Sequence, residues 1–373
     1  MTPRKKNNSK FDHARPVSFG KLALSLLLVA AVALITPVSV LLANNQSETT
    51  RGEPTPNEIS EPIRISLVGD VCLADGWGAD VAHAHKGLVV AAFSRDILSH
   101  LHSSTITYAN HEFTMSYRGE PLNKYYTFCA SPAYIGYWEQ LGVDIVGLAN
   151  NHAFDYGEEA FLDTLALLDA NGIRHVGAGI DLAEAMAPVC FTIDGYCVAF
   201  VAADRSQKGD EVRAQAAAAN TPGVLFCFDD ELFLHAVTNA SLVADYVIAI
   251  PHWGTEYSTE LEDVQIELAH KLIDAGADAV IGSHPHILQG IDFYNGKPIA
   301  YSLGNFWFNE DDTYTVIFDI TIDNGVPSFS IVPALQSDKR VLSSPAISAD
   351  VIAYLREISP NVEISEDGTI HPL

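Results

Sequence analysis

The chain has 373 residues, enough for one large domain or two ordinary ones, and its 48% hydrophobic and 18% charged residues exclude wholesale disorder. Forty-seven acidic against 21 basic residues give a formal charge of −26, which excludes nucleic acid as the main partner, because phosphate binding needs a basic footprint. Five scattered cysteines without CxxC spacing exclude a disulfide scaffold and a cysteine-built zinc site.

The first element in chain order is a basic tail, residues 1–21, where Arg4, Lys5, Lys6, Lys10, Arg15 and Lys21 face one acid, Asp12. Leu22 to Ala43 follows without a single charge. As a helix it would span about 33 Å, enough to cross the hydrocarbon core. The basic flank would hold the tail in the cytoplasm and send the remainder outside. A cleaved signal peptide fits less well, since its apolar region is shorter and Leu41 is not small. The expectation is a single-pass anchor at 22–43, a Pro-containing linker at 44–61 and an extracellular domain at 62–335, with a C-terminal extension at 336–373. The localisation that follows is the cell membrane, with the membrane itself as a partner.

Beyond the linker, short apolar runs alternate with helical spacing. Strands are expected at Ile63–Val68, Thr105–Asn110, Val143–Ala149, Asp245–Ile250 and Ala277–Gly282. Helices are expected around Leu88–Leu101, Glu158–Asn171 and Thr259–Ala275. Asp194-Gly195, Asn295-Gly296 and Asn324-Gly325 mark hairpins. The order predicts an α/β layered fold.

Five of these strands end in metal-type residues: Asp70; Asn110 and Glu112; Asn150, Asn151 and His152; His252 and Glu256; His284 and His286. Ligands of α/β sheets bind outside the carboxyl ends of the strands, so the five ends predict one site. Each residue alone has a structural reading: Asp70 as a turn residue, Asn150-Asn151 as an Asx turn, His252 as a core histidine, Glu112 as a surface acid. Five such strand ends together do not follow from packing. Imidazoles and carboxylates suit two divalent ions of manganese, iron or zinc. Asp70 could bridge them, and His284 and His286, two apart on an extended segment, could reach the same centre. Such a pair holds a phosphate-type oxygen and activates water, with His152 as the proton donor to the leaving oxygen. Cys72 is either a further ligand or core filler, Cys190 and Cys197 could pair across their hairpin, and Tyr301, Asn305 and Trp307 could line the pocket.

The segments GDVCL, ANHE, GLANNHAFDYG, HWGTEY, GSHPHILQ and YSLGNF together resemble the ordered motifs of the CapA family of capsule or poly-γ-glutamate biosynthesis proteins, relatives of the calcineurin-like metallophosphoesterases. The resemblance runs from about Ile63 to Ala334. It implies a four-layer αββα sandwich with a two-metal centre at one edge, preceded here by one N-terminal transmembrane helix. It implies Asp70, Glu112, Asn151, His252, His284 and His286 as ligands and His152 as the catalytic histidine. Asn110, Asn150, Glu256 and Asn305 remain as candidate substrate contacts. The sequence departs from the superfamily at Cys72, where the first motif carries a histidine, and at Asn110 and Glu112. Two functions follow. One is a membrane-anchored, metal-dependent phosphoesterase-like hydrolase of the cell envelope, acting on a phosphoester or an anionic polymer. The other is a non-catalytic, metal-containing subunit that binds or exports an anionic polymer beside a polymer synthase complex.

Overall fold

The computed structural model describes residues 60–206 and 214–373. Two mixed sheets dominate them. In the first, Ile63–Val71, Ile106–His111, Ile145–Gly147 and Arg174–Val176 run parallel. On the other side of Ile63–Val71 the pairing turns antiparallel through Thr313–Asp323, Val326–Ser337, Thr369–Pro372 and Val362–Ile364. The second sheet has a parallel centre, Tyr196–Asp204, Tyr246–His252, Ala279–Ile281 and Lys297–Ala300, edged by the antiparallel strands Val189–Ile193 and Ile291–Tyr294.

The central strands read as continuous apolar runs because both of their faces are covered. Along Tyr196–Asp204, Val198, Phe200 and Ala202 enter a core shared with Ile65 and Leu67 of the first sheet. Ala199, Val201 and Ala203 point the other way, onto Phe233, Val237, Leu268 and Leu272. Those four belong to the helices Glu231–Ser241 and Asp263–Asp274. The outer face of the first sheet packs Val68 and Val146 against Ile97, Trp138, Phe161 and Leu165. Helix ends follow local chemistry. Glu262 and Gln265 form a capping box, and Ser344 caps the helix Pro345–Ile358. All three expected hairpins form, each with both turn residues at positive φ: 52° and 87°, 51° and 75°, 49° and 80°. That is what a two-residue turn matched to strand twist requires.

The anchored fold expected from the sequence is corrected. The segment Leu22–Ala43, its basic flank and most of the linker lie outside the described residues. Among the described residues no helix is long and apolar enough to cross a membrane. The longest, Gly157–Ala170 and Pro345–Ile358, have 14 residues each, against the roughly 20 that a span needs. Among the described residues the fold is an α/β domain of two mixed sheets sharing one core, with no transmembrane helix. Single-pass topology, cell-membrane localisation, an extracellular placement and the membrane as partner have no support in it.

The parallel strands position the site, since their carboxyl ends emerge at one edge. Asp70 stands opposite Asn110 on one neighbour and Asn305 on the other, and the register shifts at Asp70 on both sides. Gly69 makes that bend possible. A Cβ there would lie 1.9 Å from the Gly304 carbonyl oxygen, which accepts from the Asp70 N–H at 3.0 Å.

One buried residue conflicts with its surroundings. His111 stacks on Phe113 at 3.7 Å, near Trp138, and neither ring nitrogen has a hydrogen-bond partner. Burial holds its pKa down at about 3. The unfolded chain therefore takes up a proton near pH 6.5 that the folded chain refuses, and stability falls as pH falls below that point. His111→Leu is expected to remove this dependence. Between pH 6.5 and 4.5 the wild type should lose about 2–3 kcal/mol more than the variant in denaturant unfolding, and parallel losses would contradict the assignment.

Candidate metal centre

Three strand ends of the first sheet and two of the second converge. Asp70 Oδ1 accepts from Asn110 Nδ2 at 2.8 Å, and Asp70 Oδ2 lies 3.3 Å from the His284 N–H and 3.4 Å from His286 Nδ1. Asn151 Oδ1 lies 2.9 Å from His252 Nε2. His286 Nδ1 donates to Asn305 Oδ1 at 2.8 Å. Asn150 sends its amide to the His111 carbonyl and to Asn110 Oδ1, and accepts from the His152 N–H. Every one of these residues is buried.

Glu112 occupies the middle. Its Oε1 lies 3.8 Å from Nε2 of His152, 3.8 Å from Nε2 of His252 and 3.9 Å from Nε2 of His286. These separations are too long for hydrogen bonds, and the atom is buried with no hydrogen-bond partner. A carboxylate oxygen ringed by imidazole nitrogens at this range fits a shared cation. Two donor groups meet the same test: Glu112 with His284 and His286, and Asp70 with Glu112 and His252. The donor atoms of each group lie within 4.8 Å of one another, so both groups could coordinate a divalent metal. The member common to both is Glu112, where the sequence pointed to Asp70.

The charges agree. Burial and the neighbouring Asp70 charge push Glu112 well above the carboxylate range. Burial acts on Asp70 in the same direction, but His286, His252 and Asn110 outweigh it and hold Asp70 low. Burial opposes protonation of His286, yet Glu112 and Asp70 push it up to about 10. Two adjacent buried carboxylates call for positive charge nearby, and the imidazolium answers that call.

The His284–His286 segment is not extended, as its spacing suggested. Both residues take positive φ, 99° and 62°. Such backbone costs about 1–3 kcal/mol per residue and persists where the surroundings enforce it. The turn leaves the two rings 5.9 Å apart, with His284 4.7 Å from His252.

Two residues outside the expected set complete the site. His152 Nδ1 donates to Asp155 Oδ2 at 2.7 Å, and Asp155 also accepts from the Phe128 N–H and pairs with Lys124. The Lys124 ammonium is nearly buried and donates to the Asn151 carbonyl at 2.8 Å. Burial, more than any charge, lowers the His152 pKa, and Asp155 partly offsets it. Asp155 stands three residues after His152 in NHAFD, a readable signal, whereas Lys124 arrives from a separate loop that no spacing connects to the site. Ser283 Oγ lies 2.9 Å from His252 Nδ1 and orients that ring.

A cavity of about 360 Å³ opens over the centre, with His152 and His286 in its lining. Glu256 also lines it but is solvent-exposed. Cys72 is buried in the apolar cluster on the outer face of the first sheet and belongs to neither donor group. Cys190 and Cys197 are free thiols.

Residues 64–310 match the family described as "Bacterial capsule synthesis protein PGA_cap". The chain is similar to the "PGA biosynthesis protein CapA" of Bacillus subtilis (strain 168), 37% identical over 202 residues, 52% of this chain and 51% of that protein. It thus spans about half the length of that relative. It is also similar to the "Capsule biosynthesis protein CapA" of Bacillus anthracis, 27% identical over 318 residues, 82% of this chain and 75% of the other. A looser structural likeness, TM-score 0.44 at 17% identity over 74% of this chain and 100% of the other, is to a hypothetical protein from Thermus thermophilus.

Glu112→Gln separates the charge conflict from metal binding. In chelator, the variant is expected to unfold at or above the wild-type midpoint, by up to about 2 kcal/mol, because one buried charge is gone. Added manganese at a hundredfold excess over Kd should stabilise the wild type by about 2.7 kcal/mol and leave the variant unmoved. Equal manganese shifts in the two proteins, or none in either, would contradict the site.

Proposed function

This chain belongs to the PGA_cap family of bacterial capsule synthesis proteins, and on that premise we propose that it is a metal-dependent hydrolase of phosphoester-type bonds. The capsule role is carried over from the names of its relatives. The observation that supports hydrolysis most strongly is the juxtaposition of Glu112 Oε1, ringed by three imidazoles, with the His152–Asp155 pair beside one cavity.

Asp70, Glu112, Asn151, His252, His284 and His286 are the proposed ligands of two divalent ions, and their imidazole, carboxylate and amide donors suit manganese, iron or zinc. When bound, such ions would supply Lewis-acid polarisation of a phosphoryl oxygen and neutralise the negative charge that develops on it. The remaining work falls to the chain itself. Asp155 takes the Nδ1 proton of His152 as a hydrogen bond and so fixes which nitrogen faces the centre. As a water oxygen bonds to phosphorus and loses its proton to solvent, the bond to the leaving oxygen breaks, and that oxygen takes the proton of His152 Nε2, which is turned toward Glu112. Burial weakens the hold of His152 on that proton, which favours the transfer. Lys124 ties Asp155 to the Asn151 backbone and keeps ligand and proton donor in one frame. Asn110, Asn150 and Asn305 direct their amides to neighbouring site residues, so their part is to hold the ligands in place.

Turnover of bis-p-nitrophenyl phosphate by manganese-loaded protein tests the reading. His152→Ala is expected to lower kcat by about 10²- to 10⁴-fold with bound metal unchanged by elemental analysis. Asp155→Asn should give a smaller loss in kcat at similar KM. Metal-loaded wild type without any turnover, or His152→Ala as active as wild type, would remove the hydrolase.

A further inference from the structure

The cavity over the centre has two unlike halves. Its floor carries the buried rings of His152 and His286. Its outer wall is aromatic. Trp77 stands edge-on to Phe128 at 4.6 Å and to Phe308 at 5.6 Å, with Tyr126 at 6.0 Å. Tyr257 faces the His286 ring at 5.9 Å. Tyr126 and Tyr257 remain about half exposed or more, at 53% and 60%. Large aromatic rings left in water around a cavity mouth are a ligand surface awaiting cover.

The same wall is acidic. Glu256, Glu310 and Asp311 line it, Lys339 has its ammonium 2.9 Å from Asp80, and the lining histidines, His152 and His286, lie on the floor against Asp155 and Asp70. The acidic segment is held in place. Buried Gln336 accepts from the N–H groups of Phe308 and Asn309 and donates to the Asp311 carbonyl. Asn309 in turn donates to Asp311 Oδ2 at 2.7 Å. Glu310 and Asp311 are therefore carried beside Phe308 on a tied-down loop at the cavity over the candidate hydrolytic centre, with the other aromatic rings brought in from neighbouring segments.

We propose that this wall binds a cationic amine carried by the substrate, so that the preferred substrate is a phosphoester bearing an ammonium group. An ammonium gains from the ring faces and from the carboxylates at once. A neutral apolar group gains only from the rings, and a polyanion is repelled by the acids. This deepens the hydrolase reading and rests on it for the position of the phosphoester.

The test uses two p-nitrophenyl phosphodiesters of the same charge at phosphorus, the choline ester and its carbon isostere, the 3,3-dimethylbutyl ester, on the manganese-loaded full chain. The wild type should favour the choline ester about tenfold in kcat/KM. Glu310→Gln combined with Asp311→Asn should bring the two esters within about twofold, with the dimethylbutyl ester little changed. Tyr126→Leu should lower the preference without altering charge. A ratio near one in the wild type, or a ratio that survives removal of the acids, overturns the proposal while leaving the hydrolase intact. Calorimetric binding of phosphocholine against 3,3-dimethylbutyl phosphate gives the second reading, independent of turnover. A tenfold preference for phosphocholine in a protein that cleaves neither ester keeps the cation-binding wall and discards the hydrolase. Equal affinity, or binding of neither, overturns the wall.

Discussion

Two carboxylates, Asp70 and Glu112, are buried side by side, and the site is organised by the need to neutralise them. Removing an ion from water costs several kcal/mol even after relaxation, so two adjacent acids persist in a core only if positive charge is supplied. His286, held protonated by Glu112 and Asp70, supplies part of it, and the nitrogens of His252, His284 and His286 have the reach to share a cation with the acids. The backbone strain at His284 and His286 belongs to the same account. On a relaxed strand both rings would share one face, and the left-handed turns instead leave them 5.9 Å apart, with His284 4.7 Å from His252.

The fold makes this concentration of polar groups tolerable. Parallel strands deliver the site residues only at their carboxyl ends, while the strand bodies remain apolar on both faces. Close backbone approach at Gly69 and Gly304 brings Asp70 into register with Asn110 and Asn305. The amides of Asn110 and Asn150 then bond each other and Asp70, and Asn305 Oδ1 accepts from His286, so few polar atoms in the centre remain for a bound group to meet. Glu112 Oε1 is one of them. Lys124 and Asp155 extend the network behind His152, where a buried ion pair fixes the ring that faces the cavity.

Much of this was legible in the residues. Asp70, Glu112, Asn151, His252 and the His284/His286 pair stand immediately after apolar runs, and strand ends in parallel sheets share one edge, so their meeting followed from periodicity. The three hairpins were equally readable, because Asn-Gly and Asp-Gly accept the left-handed turn. Other features depend on tertiary contacts. Nothing in the loop around Lys124 announces a buried ammonium, and nothing in SHPH announces two left-handed residues. That Glu112 is the member common to both donor groups depends on the register between neighbouring strands, which single-strand spacing does not encode. Cys72 occupies the position of a ligand in the related motif yet packs in the apolar core, because the strand has already turned at Asp70. The apolar segment Leu22–Ala43 satisfied every rule of length and flanking charge, but it lies outside the described residues, and no described helix takes its place.

The most direct measurement of the central claim is anomalous scattering from crystals of the protein grown with manganese. The account predicts a peak in contact with Glu112 and with imidazole nitrogens from both donor groups. A well-ordered Glu112 with no peak beside it, or manganese bound only elsewhere, would contradict it.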